Sequence, residues 1–219
     1  MILGNEILGV IFDVDGVLLD SMEIWTDLGA RYVLSKGGSP EQGLGQVLFS
    51  MSMEQGAAYI KDTYLSDESV EEIITGLHNM MREYYYDEVQ AKSGVAELLK
   101  ALREAGIKVT AATASPRGHV EKALERNGLL CYIERIFTNS EVGTSKHSPE
   151  IYDAAAAYME LQRRQICVVE DSLYALLTAA KAGYHTVGVY DEKGEPDQKG
   201  LEDAAEIYIR NIRELIKLL

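Results

Sequence analysis

The stretch at residues 7–21 reads ILGVIFDVDGVLLDS, and it decides the fold. Its first six residues form a short apolar run with β-branched side chains, which is typical of a buried parallel strand. Asp13 and Asp15 follow this run directly and precede Gly16. In open α/β sheets, ligands bind outside the carboxyl ends of the strands. The stretch therefore predicts a central strand that carries two carboxylates to a ligand site.

Similar apolar runs recur further along the chain, and helical patterns separate them. They occupy residues 107–112, 166–169 and 186–189, with weaker candidates at 135–138 and 206–209. Strands that alternate with helices indicate the α/β class. We therefore expect a Rossmann-like, doubly wound parallel sheet.

One long stretch breaks this alternation. Between residues 18 and 92 the apolar residues follow only helical spacing, and no convincing strand is found. This pattern predicts an all-helical cap domain inserted after the first strand. The predicted domains are a catalytic core at residues 1–17 and 93–219 and a helical cap at residues 18–92.

The composition indicates a folded, acidic protein. Among 219 residues, 47% are hydrophobic, and 35 Asp and Glu outnumber 21 Lys and Arg, which gives a formal net charge of −14. Nucleic acids and anionic membranes both require a basic face, so we expect neither as a partner. Residues 20–92 are the more acidic part, with 13 acidic and 5 basic residues.

The start of the chain and its cysteines bear on the compartment. The first basic residue is Arg31, and no run of about 18 apolar residues occurs, so we expect neither a signal peptide nor a membrane span. Cys131 and Cys167 lie far apart and form no metal-binding spacing, which favours buried free thiols. The predicted location is the cytoplasm.

A second pair of acidic residues points to a metal site. Glu170 and Asp171 end the apolar run at residues 166–169. If that strand lies beside the first one, Asp171 reaches the same cation as Asp13 and Asp15. Clustered carboxylates repel each other unless a cation lies between them, and oxygen ligands suit Mg²⁺.

Two further positions suggest a phosphate site. Thr113 ends the run at residues 107–112 and precedes a helix, where a hydroxyl and free backbone amides bind anions. Lys146 lies in the segment TSKHSP before another helix and could neutralise a phosphoryl group. Taken alone, Thr113 is better explained as a helix cap, and Lys146 as a solvated loop residue.

In this order, the four elements resemble the haloacid-dehalogenase-like superfamily of phosphotransferases. The resemblance covers nearly the whole chain and is strongest to the group of phosphoglycolate phosphatase and β-phosphoglucomutase. The matching segments are the strand with DVDG, the strand that ends in Thr113, the lysine before a helix, and the strand followed by EDS. His147 departs from the usual pattern, in which proline follows the lysine.

The resemblance implies a Mg²⁺-dependent phosphatase of a small phosphorylated metabolite. Asp13 would be the nucleophile and Asp15 the general acid and base, while Thr113 and Lys146 would hold the phosphoryl oxygens. The metal ligands would be Asp13, Asp171 and the backbone carbonyl of Asp15, with Glu170 in a water-mediated contact. Ser115 and Arg117 are candidate substrate contacts. The cap would close over the substrate, and we expect a monomer or a weak dimer.

Three alternatives remain open. A sugar-phosphate mutase would carry a histidine soon after the first strand and an arginine in the cap loop, and neither stands in residues 21–25 or 49–54. A haloacid dehalogenase would need neither Asp15 nor Asp171. A silent binding protein would have lost part of the site.

The residues that select the substrate are also undecided. Trp25, Met51 and Met53 belong to an adaptable apolar pocket or to the core of the cap.

Overall fold

The computed structural model of the protein describes residues 7–48 and 51–218. Six strands run through these residues and pair in parallel: β1 (Gly9–Phe12), β2 (Lys108–Thr113), β3 (Arg135–Thr138), β4 (Ile166–Glu170), β5 (His185–Val189) and β6 (Ile207–Ile209). They form one sheet in the order β3-β2-β1-β4-β5-β6. The order reverses between β1 and β4, which is where such sheets bind ligands. The predicted doubly wound α/β fold is confirmed.

The same part of the chain contains ten α-helices. They are α1 (Met22–Ser35), α2 (Leu44–Leu48), α3 (Met53–Thr63), α4 (Val70–Glu83), α5 (Val95–Glu104), α6 (Arg117–Arg126), α7 (Asn139–Val142), α8 (Glu150–Met159), α9 (Leu173–Ala182) and α10 (Gln198–Ala204). A π-helix (Tyr84–Glu88) continues α4, and short 3₁₀ helices lie at Leu130–Tyr132, Arg163–Gln165 and Ile212–Leu218.

The register of the sheet brings the ends of three strands together. Phe12, the last residue of β1, lies opposite Ala111 of β2 and Val169 of β4. The residues that follow Phe12 therefore lie beside the ends of both neighbouring strands. All four residues of β1 are buried, as expected for the central strand of a covered sheet.

Helix α8 covers this part of the sheet. Its apolar residues, such as Tyr152 and Ala155, pack in one buried cluster with Ile11 of β1 and Val168 of β4. Gly9 allows the close approach, because a Cβ there would lie 2.8 Å from Leu161 Cδ1. A larger residue at this position would push the end of α8 away from β1.

The residues from Ser21 to Val89 form a compact helical unit with a core of its own. Ser52 and Ser69 begin α3 and α4 with capping boxes, in which each serine accepts a hydrogen bond from the third backbone N–H of its helix. Helices α1, α3 and α4 bury apolar side chains against one another, among them Val33, Ile60 and Ile73.

The helical unit is shorter than the sequence predicts. The remaining unit holds the residues up to Asp20 and from Gln90 onward, so each boundary lies three residues away from the predicted one. The cause is pairing between the two connecting segments. Asp20 N donates to Gln90 O, and Lys92 N donates to Leu18 O, each at 2.9 Å. These segments therefore fold as part of the sheet-containing unit.

The two cysteines differ in their surroundings. Both are free thiols, and Cys167 in β4 is buried, as predicted. Cys131 is exposed, so the prediction was wrong for this residue. It lies in the 3₁₀ helix at Leu130–Tyr132, a short surface turn with no buried residue.

In the described part of the chain, no helix is long and apolar enough to cross a membrane.

Candidate active site

Asp13 directly continues β1 and lies at the centre of the site. Its backbone N–H donates to Val169 O at 2.9 Å, which holds it against the end of β4. The Asp13 carboxylate is buried, and its Oδ1 accepts a hydrogen bond of 2.7 Å from the backbone N–H of Val14. The backbone therefore fixes one oxygen of Asp13 in place.

Lys146 joins two carboxylates from different strands. Its Nζ lies 2.6 Å from Asp13 Oδ1 and 2.8 Å from Glu170 Oε1, and only 2% of the residue is exposed. A turn supports it, since Ser148 N donates to Ser145 O at 3.1 Å. Burial lowers the pKa of Lys146, but the two carboxylates more than offset this, so its pKa is raised above the ordinary value. Lys146 is therefore a buried, charged lysine.

Three buried acidic side chains meet beside Lys146. One carboxylate oxygen each from Asp13, Glu170 and Asp171 lies within 4.8 Å of the others. Glu170 Oε1 also accepts a hydrogen bond of 2.8 Å from the Tyr152 hydroxyl. Within the described residues, Glu170 Oε2 and Asp171 Oδ2 are buried and receive no hydrogen bond. Because buried carboxylate oxygens need a partner, this cluster fits a hard divalent cation such as Mg²⁺.

The pKa values support a cation-binding role for the cluster. Burial raises the pKa of Asp13 well above its usual value, and the nearby charge of Glu170 raises it further. Burial and the charge of Asp13 raise the pKa of Asp171 to about 8. Holding all of these groups ionised at neutral pH therefore costs free energy, and a bound cation would lower that cost.

The end of β2 supplies a hydroxyl pair. Thr113 is fully buried, and its Oγ1 accepts a hydrogen bond of 3.0 Å from Ser115 N. Ser115 Oγ donates to Asp15 Oδ2 at 2.6 Å. This contact links the loop after β2 to the loop after β1, and it fixes the orientation of the Asp15 carboxylate.

Arg117 begins α6, close to Ser115 in sequence. Its guanidinium donates to the Ile136 carbonyl at 2.7 Å and forms ion pairs with Glu121 and Glu141. The contacts with Ile136 and Glu141 fasten α6 to β3 and to α7, whereas Glu121 lies in α6 itself. That Arg117 contacts substrate stays a prediction.

Sequence reasoning missed a partly buried lysine, Lys92, near the cluster of Asp13, Glu170 and Asp171. Lys92 Nζ lies 2.6 Å from Asp191 Oδ2 and donates to the carbonyl of Gly16. Gly194 follows in the same loop, where an added Cβ would lie only 2.8 Å from Asp171 Oδ2. The loop after β5 therefore packs against Asp171. The position of Asp191 after a buried strand was the one signal in the sequence that could have revealed it.

The helical unit contains a cavity of its own, of about 280 Å³. Trp25, Met51 and Met53 line it, together with buried residues such as Ile60. The first two residues of the predicted cap loop, Phe49 and Ser50, lie outside the described residues. Of the two roles left open for Trp25, Met51 and Met53, the structure favours the lining of a pocket.

A comparison with models of protein families identifies the family of this chain. A family model described as haloacid dehalogenase-like hydrolase matches residues 10–189. The chain belongs to the haloacid dehalogenase-like hydrolases. The predicted family is confirmed, and so is the predicted enzyme class at the level of a hydrolase of this family.

Individual members of the haloacid dehalogenase-like hydrolases align with almost the whole chain. A phosphorylated carbohydrates phosphatase of Thermotoga maritima is 24% identical over 96% of this chain and 97% of its own. Hexitol phosphatase B of Escherichia coli is 24% identical over 96% of this chain and 95% of its own. The crystal structure of a Thermotoga maritima protein, provisionally assigned as a beta-phosphoglucomutase, matches with a TM-score of 0.85 at 24% identity and covers 96% of this chain and 97% of that one. This structural match supports the shared fold.

Proposed function

We propose that the protein is a Mg²⁺-dependent phosphatase that hydrolyses a small phosphorylated metabolite through an aspartyl-phosphate intermediate. The observation that carries this proposal is the buried group formed by Asp13, Glu170, Asp171 and Lys146 at the adjoining ends of β1 and β4. The phosphatase names of the related proteins from Thermotoga maritima and Escherichia coli support it.

Asp13 is the proposed nucleophile. Its Oδ1 is engaged by Val14 N and Lys146 Nζ, which favours Oδ2 as the attacking oxygen. The attack on phosphorus forms the Asp13–phosphate bond and breaks the bond between phosphorus and the ester oxygen. An ionised carboxylate needs no base to activate it, unlike a serine hydroxyl.

Asp15 is the proposed acid and base. In its protonated form it gives the proton to the departing alcohol oxygen. In the second step it takes a proton from the water that attacks the phosphorus of aspartyl-phosphate, which releases phosphate and restores Asp13. The hydrogen bond from Ser115 Oγ holds the Asp15 carboxyl in one orientation.

The metal ligands would be the carboxylates of Asp13 and Asp171 and the backbone carbonyl of Asp15, with Glu170 in contact through water. Bound Mg²⁺ would supply positive charge against the negative charge of the transferring phosphoryl group. Lys146 would neutralise a phosphoryl oxygen beside Asp13, and the Thr113 hydroxyl would donate a hydrogen bond to another.

A sugar-phosphate mutase has less support. The histidine and arginine expected of such a mutase are missing from residues 21–25 and 49–54. We expect incubation with glucose 1-phosphate to release free phosphate and to form no isomerised sugar phosphate.

The proposal is tested with p-nitrophenyl phosphate and purified protein. We expect hydrolysis with Mg²⁺, none in excess EDTA, and recovery when Mg²⁺ is restored. Asp13→Asn should lower turnover by at least about 10³-fold while keeping the parent circular dichroism spectrum. Asp203→Asn, an exposed surface control, should keep the parent rate. Undiminished turnover in EDTA or in Asp13→Asn would refute the proposal.

A further inference from the structure

The cavity in the helical unit has a clear chemical character. It lies among α1, α3 and α4, and the residues that line it include Trp25, Leu28, Met51, Met53, Ile60 and Met81. Thirteen of the described residues line it, and none of them is Asp, Glu, Lys, Arg or His. An apolar lining of this kind selects an uncharged guest, because an ion would lose its hydration without gaining a partner.

The two hydroxyls in the lining already donate hydrogen bonds within their own helices. Thr26 Oγ1 donates to Glu23 O at 3.0 Å. Ser52 Oγ donates to Glu54 Oε2 at 2.8 Å and also accepts from Gln55 N as the cap of α3. The cavity therefore offers little to a sugar or polyol, whose hydroxyls would give up hydrogen bonds to water on entering.

Large apolar side chains remain accessible at this cavity. Trp25 is 46% exposed and Met53 is 38% exposed, whereas Ile60 and Leu77 are buried. The cavity therefore has a buried apolar interior and accessible tryptophan and methionine side chains. Methionine side chains adapt their shape and make favourable contacts with aromatic rings.

The volume limits the size of the guest. At about 280 Å³ the cavity is nearly twice as large as an engineered apolar cavity of about 150 Å³ that binds benzene. It lies just below the usual range of about 300–1,000 Å³ for sites that bind drug-sized molecules. One substituted ring fits this volume.

The helices around the cavity are acidic, and their negative charge also favours an uncharged guest. Residues 21–89 contain 12 Asp and Glu but only 4 Lys and Arg. An anionic guest would be repelled. An uncharged ring meets no such penalty.

We infer that this cavity binds a small, uncharged, apolar ring compound.

Trp25 provides a direct test, since it is the single tryptophan of the chain and lines the cavity. Benzyl alcohol titrated into the full-length protein should change the tryptophan fluorescence saturably, and glycerol should not. Gly56 lies in α3 at the cavity, and a Cβ there would meet only Leu48 Cδ2, at an ordinary 3.6 Å. Gly56→Leu should therefore fill the cavity without a backbone clash and weaken benzyl alcohol binding by about tenfold or more.

Control variants separate filling from general effects of a new leucine. Thr63→Leu places the same side chain at the exposed end of α3 and should bind benzyl alcohol as the parent does. Gly56→Ala should weaken binding less than Gly56→Leu. Absence of a saturable change, an equal response to glycerol, or unchanged binding in Gly56→Leu would overturn the inference.

Discussion

The ends of β1 and β4 and the cavity of the helical unit are opposite kinds of site. The first buries Asp13, Glu170, Asp171 and Lys146, so every charge there alters its neighbours. The second has no charged residue among its described lining, and its interior is apolar. The comparison shows that one chain can hold a buried charged cluster and an apolar cavity, which differ in what they can bind. Exact charge placement governs the first site, whereas shape and hydration govern the second.

The largest expected effect is that of Lys146→Met. The variant leaves Asp13 and Glu170 buried without their shared cation, so we expect a loss of about 3–5 kcal/mol in the free energy of unfolding. Turnover should fall by about 10²- to 10³-fold. Urea unfolding and p-nitrophenyl phosphate hydrolysis measure the two effects, with Lys122→Met as the exposed control. Parent-like stability would show that the buried carboxylates of Asp13 and Glu170 do not depend on the charge of Lys146.

How far the sequence predicts this contrast depends on the region. The residues after β1, β2 and β4 were recognisable because a parallel sheet brings its strand ends to one edge, as the opposition of Phe12 with Ala111 and Val169 shows. The ion pairs of Lys146 depend on the path of a loop, which has no periodic pattern. The cavity is formed by side chains from several helices, and no fixed spacing in the sequence predicts it.

Lys92→Met should have the next largest effect. Asp191, whose side chain is only 6% exposed, would lose its cationic partner, and the Gly16 carbonyl would lose a donor. We expect a loss of about 2–3 kcal/mol in the free energy of unfolding. We also expect weaker Mg²⁺ binding, because both contacts hold loops beside the cluster of Asp13, Glu170 and Asp171. Calorimetric titration with Mg²⁺ and urea unfolding measure this.

Lys108→Met provides the matched control for Lys92. Lys108 is also partly buried, but its Nζ donates to the Met159 carbonyl at 2.7 Å and not to a residue of the site. This variant should keep the Mg²⁺ affinity of the parent. Equal losses of Mg²⁺ affinity in both variants would show that Lys92 has no special link to the cluster.

The pH dependence of the free energy of unfolding tests the burial of Asp171. Burial raises the pKa of Asp171 to about 8, so its contribution to the free energy of unfolding is fully present below its ordinary pKa of about 3.9 and is lost as pH rises through 8. In EDTA, the stability of the parent should therefore fall between pH 6 and pH 8 relative to Asp171→Asn, by at most about 1.4 kcal/mol per pH unit. Mg²⁺ should reduce this fall. Parallel stability curves for the two proteins in EDTA would contradict the prediction.

Arg117→Gln should have the smallest effect. The hydrogen bonds from Arg117 lower the pKa of Glu141 to about 2, so the pair stabilises the protein above about pH 4.5 and loses this effect as pH falls toward 2. Because both side chains are partly exposed, the loss at neutral pH should be at most about 1 kcal/mol. Unfolding measured from pH 7 to pH 2 tests it. A higher KM without this pH dependence would instead support substrate contact by Arg117.

The most direct test of the account is to look for the phosphoryl group on Asp13. The protein is mixed with p-nitrophenyl phosphate and Mg²⁺, quenched in acid within the first turnover, digested and analysed by mass spectrometry. We expect a phosphorylated peptide that contains Asp13, formed by the parent and missing in Asp13→Asn. Turnover with no phosphorylated peptide, or with the phosphoryl group on another residue, would contradict it.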